Sequence, residues 1–195
     1  INPGRVAGKI NAPASKSSMQ RACAAALLCG RTSTLLNPGD SNDDRAALSI
    51  IKQLGAEVMP FEDAYLIKPL SSFFINSPLE ISAGESGLSV RMFTPITSLF
   101  DKEIKVKGNG SLLTRPMEGF AEIFNQLGIK YTSNNDKLPV TICGPLVPRN
   151  IEIDGSLSSQ YLTGILMAYS AAKANDVTIF VHGLKSKPYI DLTLE

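Results

Sequence analysis

With 195 residues, 44% of them hydrophobic and 19% charged, the chain suits one or two domains and can bury a core of useful size. Nineteen basic residues against eighteen acidic ones leave a net charge of +1, which excludes the broad basic surface of a nucleic-acid or membrane binder and makes any anion site a local feature. The three cysteines (Cys23, Cys29, Cys143) and the one histidine, His182, lack metal-ligand spacing, and no apolar run reaches the ~18 residues of a membrane span. Cys23 and Cys29 fall in an apolar helical run and read as buried free thiols, which suits a reducing compartment such as the cytoplasm. Ile1, without a preceding Met, reads as a trimmed start.

In chain order, residues 17–29 open with serines and continue into Ala22-Cys23-Ala24-Ala25-Ala26-Leu27-Leu28. Apolar all round, this segment is expected to be a buried helix. A β-branched strand is expected at 32–36, then a polar loop and a second helix starting near Asp43-Asp44. That helix carries Ala47, Ile50, Ile51 and Leu54 at i, i+3, i+4, i+7 spacing. Gln53-Leu54-Gly55 closes it, since glycine adopts the left-handed cap conformation. Strands at 56–59 and 65–67 follow, joined at Glu62-Asp63.

The pattern then repeats. A buried helix is expected over 86–99, a strand over 103–106, and a second helix opening at Arg115-Pro116, because proline suits a first helical turn. Phe120, Ile123, Phe124 and Leu127 repeat the earlier amphipathic spacing 73 residues on, and Gln126-Leu127-Gly128 repeats the stop. Strands at 129–132 and 139–143 flank Asn134-Asn135-Asp136. A third round gives a buried helix over 158–172, a strand over 177–181 and a helix start at Lys187-Pro188. One unit therefore reads strand, buried helix, strand, amphipathic helix, strand, strand. Units one and two read as complete (about 1–70 and 71–146), and unit three (147–195) stops inside its second helix, so the native chain is expected to run on.

Each helix start carries unpaired N–H groups and about half a positive charge, so starts that converge about a pseudo-threefold axis would make an anion site. The residues at those starts fit that use. Pro13-Ala14-Ser15-Lys16-Ser17-Ser18 leads to Arg21 one turn on; the serines serve either as caps or as phosphate donors. Gly87 permits close backbone approach, with Arg91 four residues later and Glu85 placed to cap the helix or pair with Arg91. Arg115 precedes Pro116, Ser158-Ser159-Gln160 offers uncharged donors, and Ser186, Lys187 and Tyr189 flank the last start. Asp43, Asp44 and Asp154 read as caps, and His182 as structural. This set holds anions and is poorly equipped for proton transfer.

Ala14-Ser15-Lys16-Ser17 with Arg21, Gly87 with Arg91, Arg115-Pro116, Ser158-Ser159-Gln160 and Ser186-Lys187-Pro188-Tyr189-Ile190 together resemble the 5-enolpyruvylshikimate-3-phosphate synthase family, in order and over nearly the whole chain. The resemblance implies an α/β (α+β) fold: a pseudo-threefold, inside-out domain of βαβαββ units, one of two that close over the substrates. This chain resembles the shikimate-binding domain, with the second catalytic domain absent. The family moves the enolpyruvyl group of phosphoenolpyruvate to the 5-hydroxyl of shikimate-3-phosphate, releases phosphate, and uses no metal or other cofactor. By resemblance, Lys16, Ser17, Arg21, Ser158, Ser159, Gln160, Ser186 and Tyr189 contact shikimate-3-phosphate. Lys16, Gly87, Arg115 and Gln160 contact phosphoenolpyruvate or lie between the ligands. Lys16 is the catalytic residue, and Arg91 supports the glycine loop.

The implied partners are the two small substrates and the C-terminal domain of the same enzyme, with no nucleic acid or membrane. The family's acid/base carboxylates belong to that other domain, so the chain alone is expected to be inactive. Two departures stand out: Gln20 replaces the family's usual Asn, and Glu85-Ser86-Gly87-Leu88-Ser89 replaces Asn-Ala-Gly-Thr-Ala, so that Leu88 takes the place of a threonine hydroxyl. Two other readings compete. One is the sister transferase acting on UDP-N-acetylglucosamine, whose Lys-Asn pair is here Lys16-Ser17. The other is a non-catalytic anion-binding module, against which the unfinished third unit counts.

Overall fold

The computed structural model describes residues 4–5 and 7–195. The elements are α1 (Lys16–Leu28), β1 (Ser33–Leu36), α2 (Asn42–Gln53), β2 (Glu57–Phe61), β3 (Ala64–Lys68), β4 (Leu79–Ser82), α3 (Gly87–Thr97) and β5 (Glu103–Lys107). A 3-10 turn (Gly110–Thr114) then precedes α4 (Gly119–Leu127), β6 (Lys130–Asn134), β7 (Lys137–Cys143), β8 (Ile151–Asp154), α5 (Ser159–Ala171), β9 (Ile179–His182) and α6 (Lys187–Leu194).

The strands form three separate sheets, ordered β1-β3-β2, β4-β5-β7-β6 and β8-β9. In the second sheet β4 runs parallel to β5, and in the third β8 runs parallel to β9; each of these pairs is joined through a buried helix. The hairpin strands β3 and β7 lie antiparallel to β1 and β5. The mixed α/β architecture and its recurring order thus match the sequence pattern. One part does not: residues 7–15 lead into α1 without forming a strand, so the first repeat lacks its leading strand among the described residues. Ile1 itself lies outside those residues.

The helices α1, α3 and α5 pack on one another, with the sheets outside them. Such a position needs apolar residues all round, and α3 supplies them: Val90, Met92, Phe93 and Ile96 are fully buried. On α5, Gly164 makes the closest approach, because a Cβ there would lie 2.6 Å from the Met92 carbonyl oxygen and 2.9 Å from that of Arg91. The helices α2 and α4 are amphipathic. The first is held by a capping box between Ser41 and Asp44, and the second ends at Gly128, whose φ of +67° is the left-handed cap. The outer face of the four-stranded sheet is charged, with Lys105 and Lys107 paired to Glu80.

Two expectations are corrected here. Arg115-Pro116 does not open a helix. Arg115 is extended (ψ 137°), as the residue before proline prefers, and α4 starts only at Gly119. The intervening Met117 is fully buried, and its N–H donates to the Asp136 carbonyl at 2.7 Å, which ties this stretch to the β6–β7 turn. Cys29 is not buried: it is the C-cap of α1, where the chain leaves the core, and only Cys23 is enclosed.

Candidate functional site

The starts of α1, α3, α5 and α6 meet at one cleft of about 350 Å³. Ser17 and Arg21 enter it from α1; Ser158, Ser159 and Gln160 from the start of α5; Ser186 and Tyr189 from the start of α6. These seven were singled out from sequence, and the fold brings them together. Leu88, singled out from sequence as the departure from a threonine, completes the lining with Ser156, Leu157 and Lys185, which were not anticipated as ligand-facing. Among the described residues no carboxylate lines the cleft, while two cations, Arg21 and Lys185, do.

Local chemistry explains which hydroxyls are free. Ser15, not Ser17, caps α1 by accepting the Ser18 N–H at 3.3 Å. Ser158 caps α5 through the Gln160 N–H at 3.2 Å. Ser86 caps α3 through the Ser89 N–H at 3.1 Å. Ser186 makes no cap bond and sits in the left-handed region (φ 58°, ψ 39°), a conformation that costs a non-glycine residue about 1 kcal/mol or more.

Arg21 is only 5% exposed. Its Nε donates to Thr193 Oγ1 at 2.9 Å and its Nη1 to the Ser17 carbonyl at 3.0 Å. Its Nη2 donates to Thr163 Oγ1 at 3.4 Å and to the Tyr189 carbonyl at 3.2 Å. The guanidinium also lies 5.9 Å from the Tyr189 ring centre. Burial lowers the Arg21 pKa, partly offset by Tyr189. The arginine thus clamps α6 to α1 and α5 while facing the cleft.

A second group adjoins the first. A Cβ on Gly87 would come within 2.9 Å of Arg115 Nη1 and 3.2 Å of Arg91 Nη1, so both guanidiniums flank this glycine. Arg91 donates to the Gln160 side-chain oxygen at 3.3 Å, to the Gly87 carbonyl at 3.4 Å and to the Pro116 carbonyl at 3.3 Å. Gln160 therefore belongs to both groups. Beneath them, the fully buried Gln20 accepts hydroxyl bonds from Ser86 at 2.8 Å and Ser89 at 2.9 Å. Sequence reading saw Gln20 only as a departure from Asn. Its place as the joint between α1 and α3 has one sequence signal, an amide close before the apolar run 22–28.

Outside the lining, other residues singled out from sequence have partners within the protein. The Lys16 ammonium pairs with Asp43 at 2.7 Å, because that carboxylate sits in the first turn of α2, and Lys16 does not line the cleft. Glu85 neither caps α3 nor pairs with Arg91. Ser86 occupies the cap, and the Glu85 carboxylate instead accepts the Ser111 N–H at 3.4 Å. Asp44 completes the α2 capping box, Asp154 accepts the Ser156 N–H at 2.8 Å, and exposed His182 meets Glu152 at 3.3 Å, away from the cleft.

This mixed α/β fold matches solved structures of enolpyruvyl transferases. EPSP synthase from Acinetobacter baumannii superimposes with a TM-score of 0.67 at 24% identity, over 83% of this chain and 37% of that one. The enolpyruvyl transferase NikO from Streptomyces tendae does so at 0.58 and 18% identity, over 91% of this chain and 40% of that one. All residues from 1 to 195 match the family model described as EPSP synthase (3-phosphoshikimate 1-carboxyvinyltransferase), and the chain belongs to that family. The 3-phosphoshikimate 1-carboxyvinyltransferases of Methanocorpusculum labreanum and Clostridium botulinum are each 34% identical to it, over its whole length and 46% of theirs. The chain thus spans about half the length of the curated relatives it matches.

Proposed function

We propose that this chain is the shikimate-3-phosphate-binding half of an enolpyruvyl transferase, built of three repeats (about residues 1–70, 71–146 and 147–195). It would act in the cytoplasm with a second domain that carries the proton-transfer carboxylates. The observation that carries this reading is the cleft itself, where four helix starts, free serine hydroxyls and two cations meet with no carboxylate among the described lining residues. Such a cleft suits a polyol bearing a phosphate and a carboxylate.

In this reading the serines at the starts of α1, α5 and α6 hold shikimate-3-phosphate, Arg21 adds charge, and Tyr189 closes one side. Phosphoenolpyruvate lies along Gly87, where the absent Cβ admits the ligand between Arg91 and Arg115, and Gln160 touches both substrates. Lys16 leaves Asp43 for the ligands when both are present. These groups bind and orient the substrates. They contain no acid/base pair, so turnover waits on the second domain and the exclusion of water that closure brings.

Titration of the chain with shikimate-3-phosphate by calorimetry or NMR tests this. Weak saturable binding, lowered in Arg21→Ala, is expected. An unchanged affinity in that variant would remove Arg21 from the site, and preference for UDP-N-acetylglucosamine would move the assignment to the sister transferase. The isolated chain is expected to form no product from the two substrates, and measurable turnover would refute its dependence on a second domain.

A further inference from the structure

Lys185 carries no role in the reading above, yet it is one of the two cations lining the cleft. The other, Arg21, already directs four hydrogen bonds into the protein, out of the five N–H donors that an arginine has. Lys185 differs in each respect. Its side chain is exposed, and it enters no ion pair among the described residues. Its backbone is fixed, because its N–H donates to the Gly155 carbonyl at 3.3 Å. That bond sets the residue between the turn bearing Ser156 and the strained Ser186, so one flexible ammonium stands beside several hydroxyls. The nearby carboxylate, Asp154, accepts the Ser156 N–H at 2.8 Å; its hydrogen bonds with Ser156 and, to a smaller degree, the Lys185 charge hold its pKa down, but Asp154 and Lys185 form no ion pair among the described residues.

We infer that Lys185 is a second ligand-binding cation of this cleft, and that its ammonium pairs with the phosphate of the bound ligand beside Ser156, Ser158 and Ser186. A lysine is a compact point charge on a mobile stem, which suits the threefold symmetry of a phosphate. Ser158, whose hydroxyl oxygen accepts the Gln160 N–H and keeps its O–H to donate, and Ser186, which makes no cap bond, supply neutral donors to the same oxygens. This inference rests on the proposed binding of shikimate-3-phosphate, and it adds a residue to that site.

The test compares two ligands that differ only in the phosphate. The unaltered chain, Lys185→Met and Lys185→Arg are titrated with shikimate-3-phosphate and, in parallel, with shikimate. Methionine keeps an unbranched apolar stem and removes the charge. Lys185→Met is expected to weaken shikimate-3-phosphate roughly tenfold or more, the size of a lost charge-assisted hydrogen bond. Its effect on shikimate is expected to stay within roughly twofold. Lys185→Arg is expected to retain most of the affinity. Unchanged binding of the phosphorylated ligand by Lys185→Met, or an equal loss for both ligands, overturns the inference. Failure of the unaltered chain to bind either ligand instead overturns the functional reading on which it rests, and is visible before any variant is compared.

Discussion

At the scale of single residues, Gln20 and Gly87 show how support and contact divide around the site. Gln20 is fully enclosed and receives two serine hydroxyls. Gln20→Leu keeps the volume but orphans both hydroxyls, so a loss of about 2–4 kcal/mol is expected, read from urea unfolding by circular dichroism. Gly87→Ala should behave oppositely. Its added methyl meets only the ends of two flexible arginines, so stability should stay within about 1 kcal/mol. Phosphoenolpyruvate affinity should fall, because the methyl occupies the approach between Arg91 and Arg115. An unfolding curve and a ligand titration on the same sample separate the two effects. Most cleft residues were legible in the sequence because they decorate helix starts, and helix starts are written in local chemistry. Lys16 was legible as a residue type, but its pairing with Asp43 was not, since that depends on how α2 lies against α1, a tertiary fact.

At the scale of elements, the close crossing of α5 over α3 is the joint that brings their starts to one cleft. Gly164 is its contact point, and there the neighbours are backbone oxygens, which cannot swing aside as arginine tips can. Gly164→Ala gains about 1 kcal/mol of helix propensity, yet the crossing has to open. A net loss of about 1–3 kcal/mol is expected, with a lower thermal midpoint. A midpoint at or above that of the unaltered chain would contradict this account of the joint. The helices and strands themselves were largely legible, because the 3.6-residue and alternating patterns recur and the Leu-Gly stops repeat. The misread start of α4 has a physical reason: Arg115-Pro116 is compatible with a helix start, and only the burial of Met117 and its bond to Asp136 postpone the helix to Gly119. The convergence of the starts could be argued only from the repeat, because it depends on sheets that pair across many residues.

At the scale of the whole molecule, the core has a built-in reporter. Cys23 is fully buried and its thiol is pushed up to about 12, first by burial and then by Asp44, whereas Cys29 is exposed and Cys143 partly so. A thiolate-selective reagent at neutral pH should therefore modify Cys29 and Cys143 in the folded chain, and Cys23 only after the core opens. In rising urea, the Cys23 labelling rate should follow the global transition; rapid labelling in the absence of denaturant would mean that the α1 interface opens locally. With no tryptophan in the chain, this chemical readout does what fluorescence does elsewhere. The last helix sets a different clock. Of α6 only Ile190 is buried, and the Arg21 bonds to Tyr189 and Thr193 tether the rest. Its amides should be among the first to exchange with deuterium, and a ligand held between Ser186 and Arg21 should slow them out of proportion to any change in shape, so that occupancy of the cleft is recorded as a local delay in exchange.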